Sequence, residues 1–293
     1  MKRVWINKGY ISKLVSTIIG GIYAFLGFIG MLVPLDEILS DTLSIWIRVA
    51  ISLGIFVGSW MICFAIVAIV LSQKKRFEVI SANSGHALYL QYGDIFDKNE
   101  VLRPDERRNI IIPVNRCFDT TVDNRLVSEQ TLHGIAFKKL YTSGKYTEET
   151  LNLTIQQLLI NAEHDDITAC DKPEGNRKRF PVGTIVDLPG CGVEHYFLWA
   201  LSTFDSNLKA HTSMQEYALA VQKLVEACNV ESEGFPVVLP LVGTGLSRTK
   251  KEQQDVISYL INAFRVNKNE INSDIHIVVR EDIKNEVAIM NIK

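Results

Sequence analysis

The sequence predicts an α/β protein: a two-helix membrane hairpin followed by a mixed sheet with helices on both faces. Two observations lead there. Two long runs near the start carry no Asp, Glu, Lys, Arg or His, and residues 77–293 alternate short apolar segments with amphipathic helical ones.

The runs are Leu14 to Leu35 and Val49 to Leu71. Each is long enough to cross the roughly 30 Å hydrocarbon core as a helix. The first is too long for the apolar region of a cleaved leader, and Pro34-Leu35-Asp36-Glu37 follows it in place of a small-residue cleavage site. Lys2, Arg3, Lys8 and Lys13 precede the first run, and Lys74, Lys75 and Arg76 follow the second. The connector holds Asp36, Glu37 and Asp41 against Arg48. By the positive-inside rule the hairpin is a two-pass element of the cell membrane with both termini cytoplasmic. Neither run contains a charge that would mark an ion pathway. Gly20, Gly21, Gly27, Gly30, Gly54, Gly58 and Ser59 suit close helix contact within or between chains. Residues 1–76 therefore read as the hairpin, and residues 77–293 as one cytosolic domain with a substantial core.

Residues 1–76 take eight of the 31 Lys and Arg and three of the 33 Asp and Glu. That leaves 23 basic and 30 acidic side chains, a net charge near −7 for residues 77–293 with His neutral. Such a balance opposes bulk electrostatic binding of nucleic acid. Cys63, Cys117, Cys170, Cys191 and Cys228 form no CxxC pair and no zinc spacing, so free thiols and no metal site are expected.

Along the second part, strands are expected at 77–80, 87–91 and 109–114, followed by helices over 128–141 and 147–161. The second helix places Leu151, Ile155, Leu158 and Leu159 on one face. The polar stretch 171–179 reads as a surface loop. Strands at 183–188 and 196–201, a helix over 214–229, a buried strand at 236–241, a helix over 253–267 and a strand at 274–280 complete the pattern. In such a fold, ligands bind beyond the carboxyl ends of the strands.

Two strand ends carry candidate chemistry. The strand at 236–241 runs into Gly243-Thr244-Gly245-Leu246-Ser247-Arg248 and then an amphipathic helix. Glycines there let backbone amides approach an anion, and a helix N-terminus adds free N–H groups. The segment has neither GxxxxGK[ST] nor the third Rossmann glycine. The strand at 109–114 empties into a polar loop. In that loop Asn115 bonds a ribose or holds the chain, Arg116 meets a phosphate, and Asp123 or Asn124 caps the turn or touches a sugar. Gly93-Asp94-Ile95 follows an earlier strand, where Asp94 either accepts from an exocyclic amine or forms an ordinary turn. His133, His195 and His211 read as surface or packed histidines, and Cys117 lies beside the ligand loop.

In order and spacing, Gly93-Asp94-Ile95, Val114-Asn115 and Leu241-Val242-Gly243-Thr244-Gly245-Leu246 resemble the macro domain, the three-layer α/β/α module that binds ADP-ribose. The resemblance spans about 79–279. It implies that Asp94, with Ile95 beside it, recognises the adenine amino group. It places Asn115 and the following loop at the distal ribose, and the 243–248 loop on the diphosphate. Hydrolytic macro domains carry glycines just after the asparagine, whereas here the next glycine is Gly134. A catalytic water is then poorly positioned, so the expectation is binding and no catalytic residue.

Two N-terminal spans joined to a divergent macro domain are similar to the effector of type II Thoeris antiphage defence. That resemblance implies a signal made by a TIR-domain partner, an ADP-ribose derivative linked to histidine. The macro domain binds this signal with no further cofactor, and binding triggers self-association, disruption of the lipid bilayer and death of the infected cell. A membrane-tethered ADP-ribosyl hydrolase, or a deacetylase of ADP-ribose esters, is the alternative. A passive scaffold for an ADP-ribosylated partner is a third reading.

Overall fold

The computed structural model describes residues 2–30, 44–242, 253–283 and 287–290. The chain divides into two compact units, residues 1–75 with 285–293, and residues 76–284.

The first unit contains α1 (Lys2–Ile6), α2 (Lys8–Gly30) and α3 (Ile45–Gln73). Lys8–Ile29 and Trp46–Gln73 are each long and apolar enough to cross a membrane. Helix α2 begins six residues before the expected Leu14, taking in Lys8 and Lys13, whose long stems can lie along apolar surface while their ammonium groups stay in water. The expected connector acids Asp36, Glu37 and Asp41 lie outside the described residues.

Ile11, Val15 and Ile19, spaced four apart on α2, pack with Ala68, Phe64 and Trp60 of α3. Trp60 Nε1 donates to Ser16 Oγ at 3.2 Å, and Tyr23 Oη lies 3.2 Å from Ser59 Oγ. The two helices are thus joined by apolar packing and two polar contacts. A Cβ added at Gly20, Gly21, Gly27, Gly54 or Gly58 would meet nothing within 4 Å. These five glycines do not build the α2 to α3 contact, whereas Ser59, expected beside them, does so through Tyr23. Residues 285–293 were expected in the second domain but group with the hairpin, where the Met290 amide donates to the buried Asn7 Oδ1 at 3.0 Å.

The second unit is built from β1 (Arg76–Ser81), β2 (Ala87–Gly93), β3 (Arg108–Asn115), α4 (Leu132–Thr142), α5 (Glu148–Leu158), β4 (Asp165–Asp166), β5 (Lys178–Arg179), β6 (Ile185–Pro189), β7 (Glu194–Phe204), β8 (Ala210–His211), α6 (Met214–Val230), β9 (Val237–Pro240), α7 (Gln253–Val266) and β10 (Ile275–Arg280). The main sheet has the order β1-β2-β10-β9-β3-β7-β6, with β8 paired to β7. From β2 through β7 every neighbouring pair is parallel, and β1 and β6 close the edges antiparallel. The carboxyl ends of β2, β10, β9, β3 and β7 therefore share one edge of the sheet.

All eight positions of β3 are buried, as expected for a strand covered on both faces. Ile110, Ile112 and Val114 share a core with Ala136, Phe137 and Leu140 of α4 and with Leu151 and Ile155 of α5. On the other face the indole of Trp199 in β7 donates to the Ala220 carbonyl of α6 at 3.2 Å, and Tyr217 of α6 packs beside Tyr259 of α7. The result is the expected three-layer α/β/α arrangement.

Two helices differ in detail from expectation. Helix α4 starts at Leu132 rather than 128 because Thr131 caps it, accepting from the Gly134 amide at 3.1 Å. In α5, Leu151, Ile155 and Leu159 face inward and Leu158 is exposed, since a spacing of four keeps the first three on one stripe.

Gly93 ends β2 where space is lacking. An added Cβ would lie 2.2 Å from Glu100 Oε1. Glu100 is buried and accepts from Gln91 Nε2, and Gln91 Oε1 faces His276 Nδ1 at 3.2 Å. Gly93→Ala must displace this buried polar group and is expected to cost about 1–3 kcal/mol. Urea unfolding of the full chain in detergent checks it, with a midpoint unchanged from the parent counting against the packing argument.

Candidate functional site

The site forms where β3 must leave the sheet. Asn115 is buried at the strand end, and its Oδ1 accepts from the Cys117 amide at 3.0 Å and the Asp119 amide at 3.4 Å. The turn continues through Phe118, at φ 51°, in the left-handed region that glycine favours. Phe118 holds it because its ring is fully buried, edge-on to Phe180 with centroids 5.6 Å apart.

Asp119 is buried with Lys172 as an ion pair, Nζ to Oδ1 at 2.9 Å. The same carboxylate accepts from the Asn176 amide at 2.7 Å, and Asn176 Nδ2 donates to the Phe118 carbonyl and to Asn152. Burial pushes the Asp119 carboxyl above its ordinary range, against the pull of Lys172 and the Asn176 amide. Residues 171–179 are thus not the free surface loop their polarity suggested. They are pinned through Lys172 and Asn176 to the exit of β3.

The next turn is built by Asp123 and Asn124. Asp123 Oδ1 accepts from the amides of Arg125 and Leu126, both at 2.8 Å. Burial works to raise its carboxyl, but the amides of Arg125, Leu126, Asp123 and Val127 outweigh it and hold the group below the usual carboxylate range. Asn124 adopts φ 64°, and its Oδ1 accepts from the Glu129 amide at 3.1 Å. Both residues form the expected turn, and Asn124 also lines the cavity described next. Gly134 lets this loop lie against α4: an added Cβ would sit 2.2 Å from the Ser128 carbonyl.

A cavity of about 190 Å³ opens between this loop and the ends of β3, β7 and β9. Its walls include Asn115, Arg125, Val127, His133, Phe204 and Val242. Asn115 Nδ2 is buried without a hydrogen-bond partner. The His133 imidazole is pushed down to about 3 by burial, partly opposed by a hydrogen bond to the Asp119 backbone, and stands edge-on to Phe137 with centroids 4.5 Å apart. It is neutral at physiological pH. Among the described residues, the cavity lining contains no Asp or Glu and a single Arg or Lys, Arg125.

The other sequence candidates fall as follows. Asp94 is exposed at the end of β2, with Oδ1 accepting from the Phe96 amide at 3.0 Å, and Ile95 is buried behind it. Arg116 is absent from the cavity wall. Its guanidinium donates to the Phe180 carbonyl and Thr203 and pairs with Glu216 at 3.2 Å, so it ties β3 to the neighbouring elements instead of facing a phosphate. Gly243, Thr244, Gly245, Leu246, Ser247 and Arg248 lie outside the described residues. The chain enters that segment from Val242, whose carbonyl accepts from Tyr217 Oη at 2.8 Å.

Cys117 is buried, and its thiol is pushed up to about 11 by desolvation, so it remains protonated and is no nucleophile. His195 bonds Asp187 at 2.8 Å near the start of β7, opposite the edge that carries the cavity. His211 is exposed. Sequence reasoning gave no cavity role to Arg125 or His133, and it missed the buried Asp119 and Lys172. The only signal for the pair was opposite charge at distant positions.

Strand order arranges the candidates in space. Asp94 leaves β2, the 243–248 segment follows β9, and Asn115 leaves β3, with β10 between the first two. At about 4.8 Å per strand, the exits of β2 and β3, three strand spacings apart, are separated by about 14 Å.

An α/β/α sheet with its crevice at the strand exits and an asparagine closing the central strand defines a macro-type domain. A family model described as "Thoeris protein ThsA, Macro domain" matches residues 88–280, and the chain belongs to that family. A relative, Thoeris protein ThsA of Bacillus amyloliquefaciens (strain Y2), is 27% identical over 167 residues, covering 56% of this chain and 51% of the relative. The chain thus spans about half the length of the curated relative it matches. Similar solved structures include an Oceanobacillus iheyensis macrodomain with ADP, at 9% identity and TM-score 0.46 over 72% of this chain and 90% of that one. The Oceanobacillus iheyensis macrodomain with MES bound also matches, at 11% identity and TM-score 0.46 over 72% and 90%.

Two outcomes follow from the site's framework. Lys172→Ala leaves Asp119 buried without its partner and is expected to lower stability by about 3–5 kcal/mol, read by urea unfolding. For His133, the unfolded side chain binds a proton near pH 6.5 and the folded one only near pH 3. Stability therefore falls as pH drops between those values, by up to about 1.4 kcal/mol per pH unit. His133→Leu is expected to flatten that slope in thermal denaturation measured from pH 7 to pH 4.

Proposed function

We propose that this chain is a membrane-embedded antiphage effector whose macro domain binds an ADP-ribose-derived signal, with disruption of the bilayer as its output. Membership of the Thoeris ThsA macro-domain family supports the defence role and an ADP-ribose-type ligand. The two apolar helices support a location in the membrane. In this reading a TIR-domain partner makes the signal, histidine-linked ADP-ribose, and the ligand shifts the chain toward a self-associating state. Such a shift requires the ligand to bind one state better than the other.

The observation that carries the ligand assignment is the order of strand exits. Asp94 and Asn115, which the resemblance assigns to the adenine and distal-ribose ends of ADP-ribose, leave β2 and β3 at the same edge of the sheet, with β10 and β9 between those strands. The cavity of about 190 Å³ is smaller than a typical pocket for a whole small molecule, so it takes one end of the ligand, the ribose and its conjugate. There the unpartnered Asn115 amide offers a donor to a hydroxyl. Binding is favoured over hydrolysis because the chain after Asn115 has no glycine before Gly134, which leaves a catalytic water poorly positioned.

Calorimetric titration of the full chain in detergent with histidine-linked ADP-ribose is expected to give saturable binding, weakened about 3–10-fold by Asn115→Ala. The same compound added to proteoliposomes is expected to release trapped dye. Sealed vesicles at saturating ligand would sink the effector reading, and steady consumption of the ligand would establish the hydrolase instead.

A further inference from the structure

We propose that Arg125 receives the anionic part of the ligand, and that Glu174 holds Arg125 in place until the ligand arrives. This inference rests on the nucleotide reading of the cavity. Arg125 is the Arg or Lys side chain lining the cavity among the described residues, and no carboxylate lines it. Its guanidinium pairs with Glu174, yet the side chain remains 64% exposed and Glu174 39%. An ion pair that open to water contributes little, whereas guanidinium and phosphate form a bidentate, charge-assisted contact.

Both partners stand on fixed ground. The Arg125 amide is held by Asp123, and Asn124 sets the turn. Glu174 lies in the stretch that Lys172 and Asn176 anchor on buried Asp119. The two backbones are thus held in place, while both side chains reach solvent. An anion entering the cavity competes with Glu174 for the same guanidinium face. The exchange breaks one ion pair and forms another, with no change of covalent bonds or protons. Arg116, the arginine expected to meet a phosphate, is already engaged by Glu216, Thr203 and the Phe180 carbonyl. Arg125 takes that role nine residues later.

The test is calorimetric titration of the full-length chain and its Arg125→Gln, Glu174→Gln and doubly substituted variants with two probes, ADP-ribose and inorganic pyrophosphate. Arg125→Gln is expected to weaken both about tenfold and to flatten the salt dependence of binding. Glu174→Gln is expected to tighten both a few-fold. In the Arg125→Gln background, Glu174→Gln is expected to change nothing. Circular dichroism verifies that each variant is folded, and substitutions at side chains this exposed leave the core untouched.

Equal affinities for the parent and Arg125→Gln, or no tightening in Glu174→Gln, overturn the proposal. Arginine-dependent binding of pyrophosphate without binding of ADP-ribose would uphold the pair and overturn the nucleotide reading. The reverse, ADP-ribose binding weakened by Asn115→Ala but indifferent to Arg125, would overturn the pair and leave that reading in place. Failure of the parent to bind either probe overturns both.

Discussion

The candidate site depends on one buried ion pair. A strand covered on both faces, such as β3, delivers its chain into the interior, where every backbone amide needs a partner and every charge a counterion. Asn115 answers the first need for two amides, and Asp119 with Lys172 answers the second. Because Lys172 comes from a segment more than fifty residues later, the pair also binds residues 171–177 to the strand exit. The exit of β3 beside the cavity is therefore joined to a distant piece of chain. Replacing the pair by apolar side chains of similar volume can preserve stability, as buried ion pairs often cost as much as they return. What it would lose is the fixed placement of Asn176 and, beside it, Glu174.

Much of the fold was legible because burial patterns are local. The eight-residue run of β3 and the four-residue spacing of Leu151, Ile155 and Leu159 announce their environments without knowledge of distant residues. Asp123 and Asn124 were legible as turn formers for the same reason, since their acceptors reach amides only two to five residues away. Lys172 was not. A lysine in the stretch Asp171-Lys172-Pro173-Glu174-Gly175 has the local signature of a solvated loop, and the carboxylate of Asp119 together with the Asn176 carbonyl makes its burial tolerable. Arg116 was misread on similar grounds: it directly follows Asn115, and sequence contains nothing to say that Glu216 would claim it.

The hairpin shows the same division between composition and contact. Its glycines suggested close approach, yet α2 and α3 meet through Ile11, Val15, Ile19, Ala68 and the polar contacts of Ser16, Tyr23, Ser59 and Trp60. A hydroxyl or indole N–H on a predominantly apolar helix has few partners available, so those contacts favour one relative rotation of the two helices. The glycine faces are left open by this choice. Close packing against another helix would use surfaces that the hairpin itself does not occupy.

Connectivity adds a constraint on any signal passing from the sheet to the hairpin. The second unit is flanked at both ends by chain belonging to the first: β1 follows α3 after two residues, and the segment after β10 includes Met290, bonded to Asn7. Strand β10 lies between β2, which delivers Asp94, and β9, which leads to the 243–248 segment. Parallel ladders join β10 to both neighbours, and the covalent chain after β10 enters the helical unit. A domain fastened by one linker could rotate without consequence for its anchor. With chain passing to the helical unit from both ends, the sheet has two covalent connections to it.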